Sequence, residues 1–422
     1  MSKNLRTANK KTGNYNKMPL LSIVCALCSV LCVLFSSPSV SNARVYLDIT
    51  SPAQRKIPIS INHKGTGDAA TIEEIVKNDL YFTGIFSDVS PNIPGAEIRI
   101  DIGTEASEGL EASVTVTDMV EGGNILQKNY AASGKIVRAL SHNIANDIFK
   151  IVTGRDGIFR TQIAYIADSA GKKELYMMDW DGYGSRRIVS SRLATSHNWS
   201  YDGKYIVYSS EGNKKWTIYL IDLMGAGKET LFQSEGLNLA GNISSGNRLT
   251  FSSSKDGSPE IYVMDIKKKN PEKITRSYGI DVSPVFSPDA SKIAFVSDRS
   301  GAPQIYIMNS DGGGVRRVTF EGNYNTSPAW SPDGSRLAYA GRINGKNQIF
   351  VIKSDGTDMR QLTDTGSNEE PAFSPDGLLI AFDSDRDGRR GIYIMRANGE
   401  GQLRITPREL TARAPRWSPY KK

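Results

Sequence analysis

Three histidines, His63, His142 and His197, are the only imidazoles in the 422-residue chain. None is paired with another at helical or turn spacing, so no zinc-ligand pattern is present. A histidine-dependent nucleophile has no partner motif either: there is no Gly-x-Ser-x-Gly elbow, and neither a Walker loop nor a dinucleotide-binding glycine fingerprint occurs. One stretch does have metal-ligand spacing. Asp383-Ser-Asp385-Arg-Asp387-Gly388 fits the first half of a calcium loop, but its twelfth position is Ile394 where a bidentate Glu is needed, and Arg386, Arg389 and Arg390 crowd it. A solvated Asp-Gly turn is the preferred reading, with calcium kept as the alternative and no other cofactor expected. No catalytic residue is assigned, and the chemistry left to the chain is recognition by polar and charged surface groups.

The formal charge of +7 points to a basic protein, but Lys3, Arg6, Lys10, Lys11 and Lys17 all precede residue 44 with no acid among them, leaving 47 basic against 45 acidic residues beyond. So even a balance gives no electrostatic footprint for nucleic acid. Residues 1–43 run from that basic segment through an uncharged stretch, Pro19 to Phe35, to a small polar close ending Ser41-Asn42-Ala43. This is the order of a secretory signal, with cleavage expected between Ala43 and Arg44 and a retained membrane anchor as the alternative. All three cysteines, Cys25, Cys28 and Cys32, lie in the apolar run, and none follows a small residue, so lipid attachment is not expected. The exported chain is then expected to carry no thiol and no disulfide.

Residues 44–154 read as a small α/β domain. Val45, Leu47 and Ile49 alternate with polar residues as in a half-buried strand, and Ile57 to Ile61 forms a second. Thr71-Ile-Glu-Glu74 reads as a capping box opening a helix that carries Ile72, Ile75, Val76 and Leu80 and stops before Gly84. Strands are predicted over 97–102, 110–120 and 125–131, with Glu121-Gly-Gly-Asn124 as a hairpin turn. Ser133 is the expected cap of a longer helix with Ile136, Leu140, Ile144, Ile148 and Val152 on one face and Gly154 past its end.

From residue 158 to 422 the sequence repeats. Trp or Phe followed by Ser-Pro-Asp-Gly or a relative, a short apolar strand, a turn and an Ile-Tyr-Ile-Met strand recur, with marker serines at Ser200, Ser244, Ser287, Ser331, Ser374 and Ser418. A period of this length in an all-β chain predicts a propeller, and six counts of each strand type predict six blades. The first repeat lacks a Trp/Phe-Ser strand while the C-terminus has one to spare, Ala414 to Pro419. The C-terminal strand is therefore expected to complete blade one and close the ring. Ser-Pro-Asp-Gly itself is a tight turn: proline presets φ and Asp-Gly tolerates the positive values that follow.

Loops entering each first strand and loops between second and third strands open on one face of such a ring, around the channel mouth. Here they supply His197, Asn198, Asn238, Asp281, Tyr324, Asn325 and Asn368 to Glu370 from the first set, and Glu211, Lys255, Arg299, Arg342 and Arg386 from the second. This mixed polar set suits a protein ligand. The pairs Asp298-Arg299 and Asp385-Arg386 read as local surface ion pairs.

The signal-like start, the α/β domain, the junction Gly157-Ile-Phe-Arg-Thr-Gln-Ile-Ala-Tyr165, the stretch from Tyr176 to Asp181-Gly-Tyr183, the six repeats and the terminal Trp417-Ser-Pro-Tyr420 together resemble the TolB family of the Tol-Pal system. The resemblance implies a non-enzymatic periplasmic protein that serves outer-membrane integrity and cell division. It implies that the propeller mouth binds the peptidoglycan-associated lipoprotein Pal, and that the segment from Arg44 to Arg55, with Val45, Leu47 and Ile49, contacts TolA. That segment could add a strand to a partner's sheet edge, or could instead be the first domain's own edge strand. A monomer peripheral to membranes is expected. Glu235-Gly-Leu-Asn-Leu239 departs from the family by lacking a histidine, which puts detailed contacts in doubt. The competing reading is a hydrolase or lactonase using a metal in the channel.

Overall fold

The computed structural model describes residues 55–65, 68–88, 95–106, 110–132, 136–212, 214–225 and 227–420. The expected signal sequence, all of the 44–55 segment but Arg55, and the expected cap Ser133 lie outside them. The α/β elements are β1 (Ile57–Lys64), α1 (Asp68–Phe82), β2 (Phe86–Asp88), β3 (Ile98–Ala106), β4 (Leu110–Asp118), β5 (Asn124–Ala132) and α2 (Val137–Thr153). The sheet runs β2-β1-β3-β4-β5, with β1 parallel to both neighbours and the remaining pairs antiparallel. Along β4, Leu110, Ala112, Val114 and Val116 alternate inward beneath the helices, as a period of two requires.

Two local expectations are corrected. α1 opens at Asp68, not at Thr71; an acidic residue in the first turn suits the positive end of the helix dipole, and Thr71 sits exposed one turn in. Ile136 is not on the buried face of α2 but precedes it, half exposed, with no side-chain cap. The far end is as the sequence demands: Gly154 adopts φ 74° and donates its N–H to the Lys150 carbonyl. The three-residue β2 escaped notice because no periodicity can register in so short a run.

The remaining strands form six four-stranded antiparallel sheets. Blade one holds Gln162–Ser169, Lys172–Asp179 and Arg186–Val189, and its innermost strand is Thr411–Trp417 from the far end of the ring, paired Thr411 with Asp168 and Trp417 with Ile163. Blades two to six occupy 194–233, 238–273, 281–317, 325–361 and 368–404. The second and third strands of every blade carry a facing aromatic pair, from Tyr165 with Tyr176 to Phe382 with Tyr393, at centroid separations of 5.4–5.9 Å. Each innermost strand has a register shift against its neighbour. At these bulges Ser196, Ser283, Ser327, Glu370 and Ala414 adopt φ between 45° and 55°.

The α/β domain sits on the face made by the Ser-Pro-Asp turns and the turns between third and fourth strands. Arg155 Nη2 donates to the Asp376 carbonyl (3.2 Å), Arg396 Nε to the Phe82 carbonyl (3.4 Å) and the Tyr420 hydroxyl to the Asp156 carbonyl (2.8 Å). Phe82, Phe149, Phe159 and Trp180 make one aromatic chain across the joint, with neighbouring centroids 5.8–5.9 Å apart. A single apolar core thus continues from the α/β sheet into blades one and six.

Candidate functional site

The innermost strands surround a cavity of about 520 Å³ along the ring axis. The bulges turn one position per blade toward it: Ser196, Ala240, Ser283, Ser327, Glu370 and Ala414. Five are small, and the exception carries the charge. Glu370 accepts a hydrogen bond from the Ser327 hydroxyl (3.0 Å) and an ion pair from Arg416 of the closing strand. Enclosure works against its charge, but Arg416 and Ser327 hold the carboxyl below the usual glutamate range. His197, behind the same ring, is buried, and its imidazole meets no side-chain hydrogen-bond partner, only the Ala164 backbone. Burial, aided by the Arg416 charge, pushes it down to about 3, so the ring is neutral at ordinary pH. An imidazole bonded to no hydroxyl or thiol is not a base poised on a nucleophile. Indoles clamp the blades around the channel: Trp199 Nε1 donates to the Arg416 carbonyl (2.9 Å) and Trp330 Nε1 to the Val285 carbonyl (3.2 Å).

Several residues assigned to the mouth are placed elsewhere. Asn238, Asp281 and Asn325 begin the innermost strands of blades three, four and five and are buried. Each ties its strand to neighbouring chain. Asn238 Nδ2 donates to the Trp216 carbonyl (2.9 Å), Asn325 Nδ2 to Gln304 Oε1 (2.8 Å), and Asn368 in blade six repeats the bond to Gln348 Oε1 (2.8 Å). A strand start wedged between two blades must satisfy its polar atoms internally, and a short amide does so. Asn198 is half-buried, its side-chain oxygen accepting from the Trp199 N–H (3.0 Å).

The arginines divide. Arg299 reaches back to the wholly buried Asp281 (2.8 Å) and lies 5.2 Å from the Tyr306 ring centroid. Arg386 does the same in blade six, donating to Asn368 Oδ1 (2.9 Å) with Tyr393 at 4.8 Å. The expected pairs Asp298-Arg299 and Asp385-Arg386 are therefore not mutual surface pairs. Each aspartate instead accepts a backbone N–H of the incoming loop, Ile280 onto Asp298 (2.6 Å) and Ser367 onto Asp385 (2.7 Å). The doubled Ser-Asp-Arg, at 297–299 and 384–386, was the sequence signal for this staple. Arg342 differs: exposed, it stacks at 3.9 Å on Tyr324 at the rim. The calcium-like stretch also scatters its ligands. Asp383 binds Arg390 and the Ala414 N–H, Asp385 binds Ser367 and Asp387 binds the Tyr393 hydroxyl.

The mouth opposite the α/β domain offers residues the sequence reading passed over. Tyr278 and Phe320 are exposed, and Ile280 is 45% exposed, all in loops entering the innermost strands of blades four and five. Arg317 lies 5.1 Å from the Phe320 ring. Their signal was available, since Tyr278, Ile280 and Phe320 stand outside the repeat in turns otherwise polar. Of the N-terminal segment only Arg55 is described, ion-paired with Glu97.

Known proteins share this architecture. "Tol-Pal system protein TolB" of Legionella pneumophila is 32% identical over 186 residues, 39% of this chain and 44% of that protein. The namesake from Syntrophotalea carbinolica is 33% identical over 215 residues, 44% and 49% of the two chains. The chain spans about half the length of these curated relatives. The crystal structure of TolB from Acinetobacter baumannii superposes with a TM-score of 0.79 at 27% identity, covering 87% of this chain and 98% of that one. The family model for the TolB beta propeller domain matches residues 149–421, so the chain belongs to the TolB beta-propeller family.

Proposed function

We propose that the protein is a non-enzymatic periplasmic member of the Tol-Pal system. Its open propeller face would bind the peptidoglycan-associated lipoprotein Pal, and its residues 44–55 would contact TolA. The observation that carries this reading is the asymmetry of the ring. One face lies under the α/β domain, while the loops entering the innermost strands on the other carry exposed Tyr278, Ile280 and Phe320. Aromatic groups beside arginines are the composition of protein-binding hot spots. The relatives' name as Tol-Pal system proteins supports the same assignment. The expected signal sequence at 1–43 would deliver the chain to that compartment.

Binding of the purified soluble part of the lipoprotein, followed by calorimetry, tests this. Saturable 1:1 binding that weakens at least about tenfold in Tyr278→Ser/Phe320→Ser supports it. No binding to the intact protein overturns it. Removal of residues 44–55 should leave that affinity unchanged and abolish capture of TolA; retained capture would dismiss the segment's role. The hydrolase reading would need a stoichiometric divalent metal and a turnover lost with it, and the neutral His197, with no side-chain partner, gives it no support.

A further inference from the structure

The joint between the α/β domain and blade one encloses a polar cluster that the channel does not use. Asp79 of α1 is buried, and its Oδ2 lies 2.7 Å from Nδ1 of His142 on α2. With Asp79 ionised, that bond draws the proton of the neutral ring to Nδ1 and leaves a lone pair on Nε2. Nε2 is buried and has no hydrogen-bond partner. It looks across the joint at Asp181 Oδ2, 3.8 Å away, in the turn that follows Lys172–Asp179. Arg138, one turn before His142 on the same helix, holds that same Asp181 oxygen and spreads its guanidinium over the Tyr183 ring at 4.4 Å. Asp79, Arg138 and Asp181 are thus the charged groups meeting the imidazole from α1, from its own helix and from the propeller turn. Asp181 Oδ1 is taken by the Tyr183 N–H (3.2 Å).

With the neutral ring's proton on Nδ1, two acceptors face each other across the joint, a lone pair and a carboxylate. A cation would fit between them, but Arg138 already occupies the carboxylate oxygen that faces Nε2, so the donors do not converge on an open centre. A proton needs no such room. We propose that His142 is a proton-operated latch between the two domains: protonation at Nε2 creates an imidazolium that bridges Asp79 of the α/β domain and Asp181 of blade one, tightening the joint, and its loss loosens it. The proton comes from solvent and nothing else changes hands. Burial raises the pKa of Asp79, which accords with a carboxyl that relies on the imidazole for its charge balance. The latch goes beyond partner binding and does not depend on which partners the protein has.

Amide hydrogen exchange of the full chain, corrected for the intrinsic rate, reads the joint directly. Between pH 8 and pH 5.5, exchange in α2 and in the turn 179–185 should slow at least about fivefold, while blades three to five change little. Asp181→Asn removes the bridging charge on a partly exposed turn and should leave the fold intact but flatten the response. His142→Gln should do the same. In an NMR titration of the His142 ring, Asp181→Asn should lower its midpoint. A flat wild-type response, a response that survives Asp181→Asn, or an unmoved midpoint would each overturn the proposal. So would tightening at pH 8 that needs Zn²⁺ and is reversed by a chelator, since the bridge would then be a metal.

Discussion

On one face of the ring, the Ser-Pro-Asp turns and the turns between third and fourth strands lie under the α/β domain and share its apolar core. On the other, the loops entering the innermost strands carry buried staples at their bases, such as Asp281 with Arg299, and bare aromatics at their tips, such as Tyr278. The same repeat makes both. The difference teaches that residue type alone does not mark a binding surface in a propeller: polar residues at the strand starts are structural, and the apolar ones just before them are free.

The largest effect should come from the seam that both faces depend on. Trp417 is buried and its Nε1 donates to the Thr161 hydroxyl (2.8 Å). Trp417→Ala should cost about 3–5 kcal/mol in denaturant unfolding. Next come the staples. Arg299→Ala strands the Asp281 carboxylate in the interior and should cost about 3 kcal/mol, whereas Arg342→Ala, at the exposed Tyr324 stack, should cost no more than about 1 kcal/mol. Equal costs would erase the division between base and tip.

A more gradual effect is set by pH. His197 is neutral when folded, and its value falls from 6.5 to about 3. Unfolded chain therefore takes up a proton that folded chain refuses. The stability this group contributes is complete above pH 6.5 and is lost as pH falls toward 3, at up to about 1.4 kcal/mol per unit. The acid slope of stability should be shallower by about one proton in His197→Phe; an unchanged slope would mean the imidazole is charged in place. Least of all, Tyr278→Ser/Phe320→Ser should leave stability within about 0.5 kcal/mol, its effect confined to the proposed partner binding.

The blades and their closing strand were legible because the period fixes phase: a first repeat short of one strand and a terminal Trp417-Ser418 in surplus admit few arrangements. Both helices were legible for the same reason, each carrying apolar residues at three- and four-residue spacing. The mouth was read less well. Asn238, Asp281 and Asn325 look like loop residues in sequence, and only the third dimension shows them wedged between blades. The latch was wholly hidden. Asp79, His142 and Asp181 stand far apart in sequence, on two domains, and no local pattern records which elements will be pressed together.

Closure by Thr411–Trp417 also sets an order of events for a chain that emerges N-terminus first. The strand Gln162–Ser169 is among the earliest of the ring to appear, yet its inner neighbour is the last. Until residue 417 arrives, the backbone of Gln162–Ser169 keeps an unpaired edge. Synthesis must therefore hand over an open arc in which blades two to six can each be complete and blade one cannot, so the final rung of the sheet is the one that closes the ring.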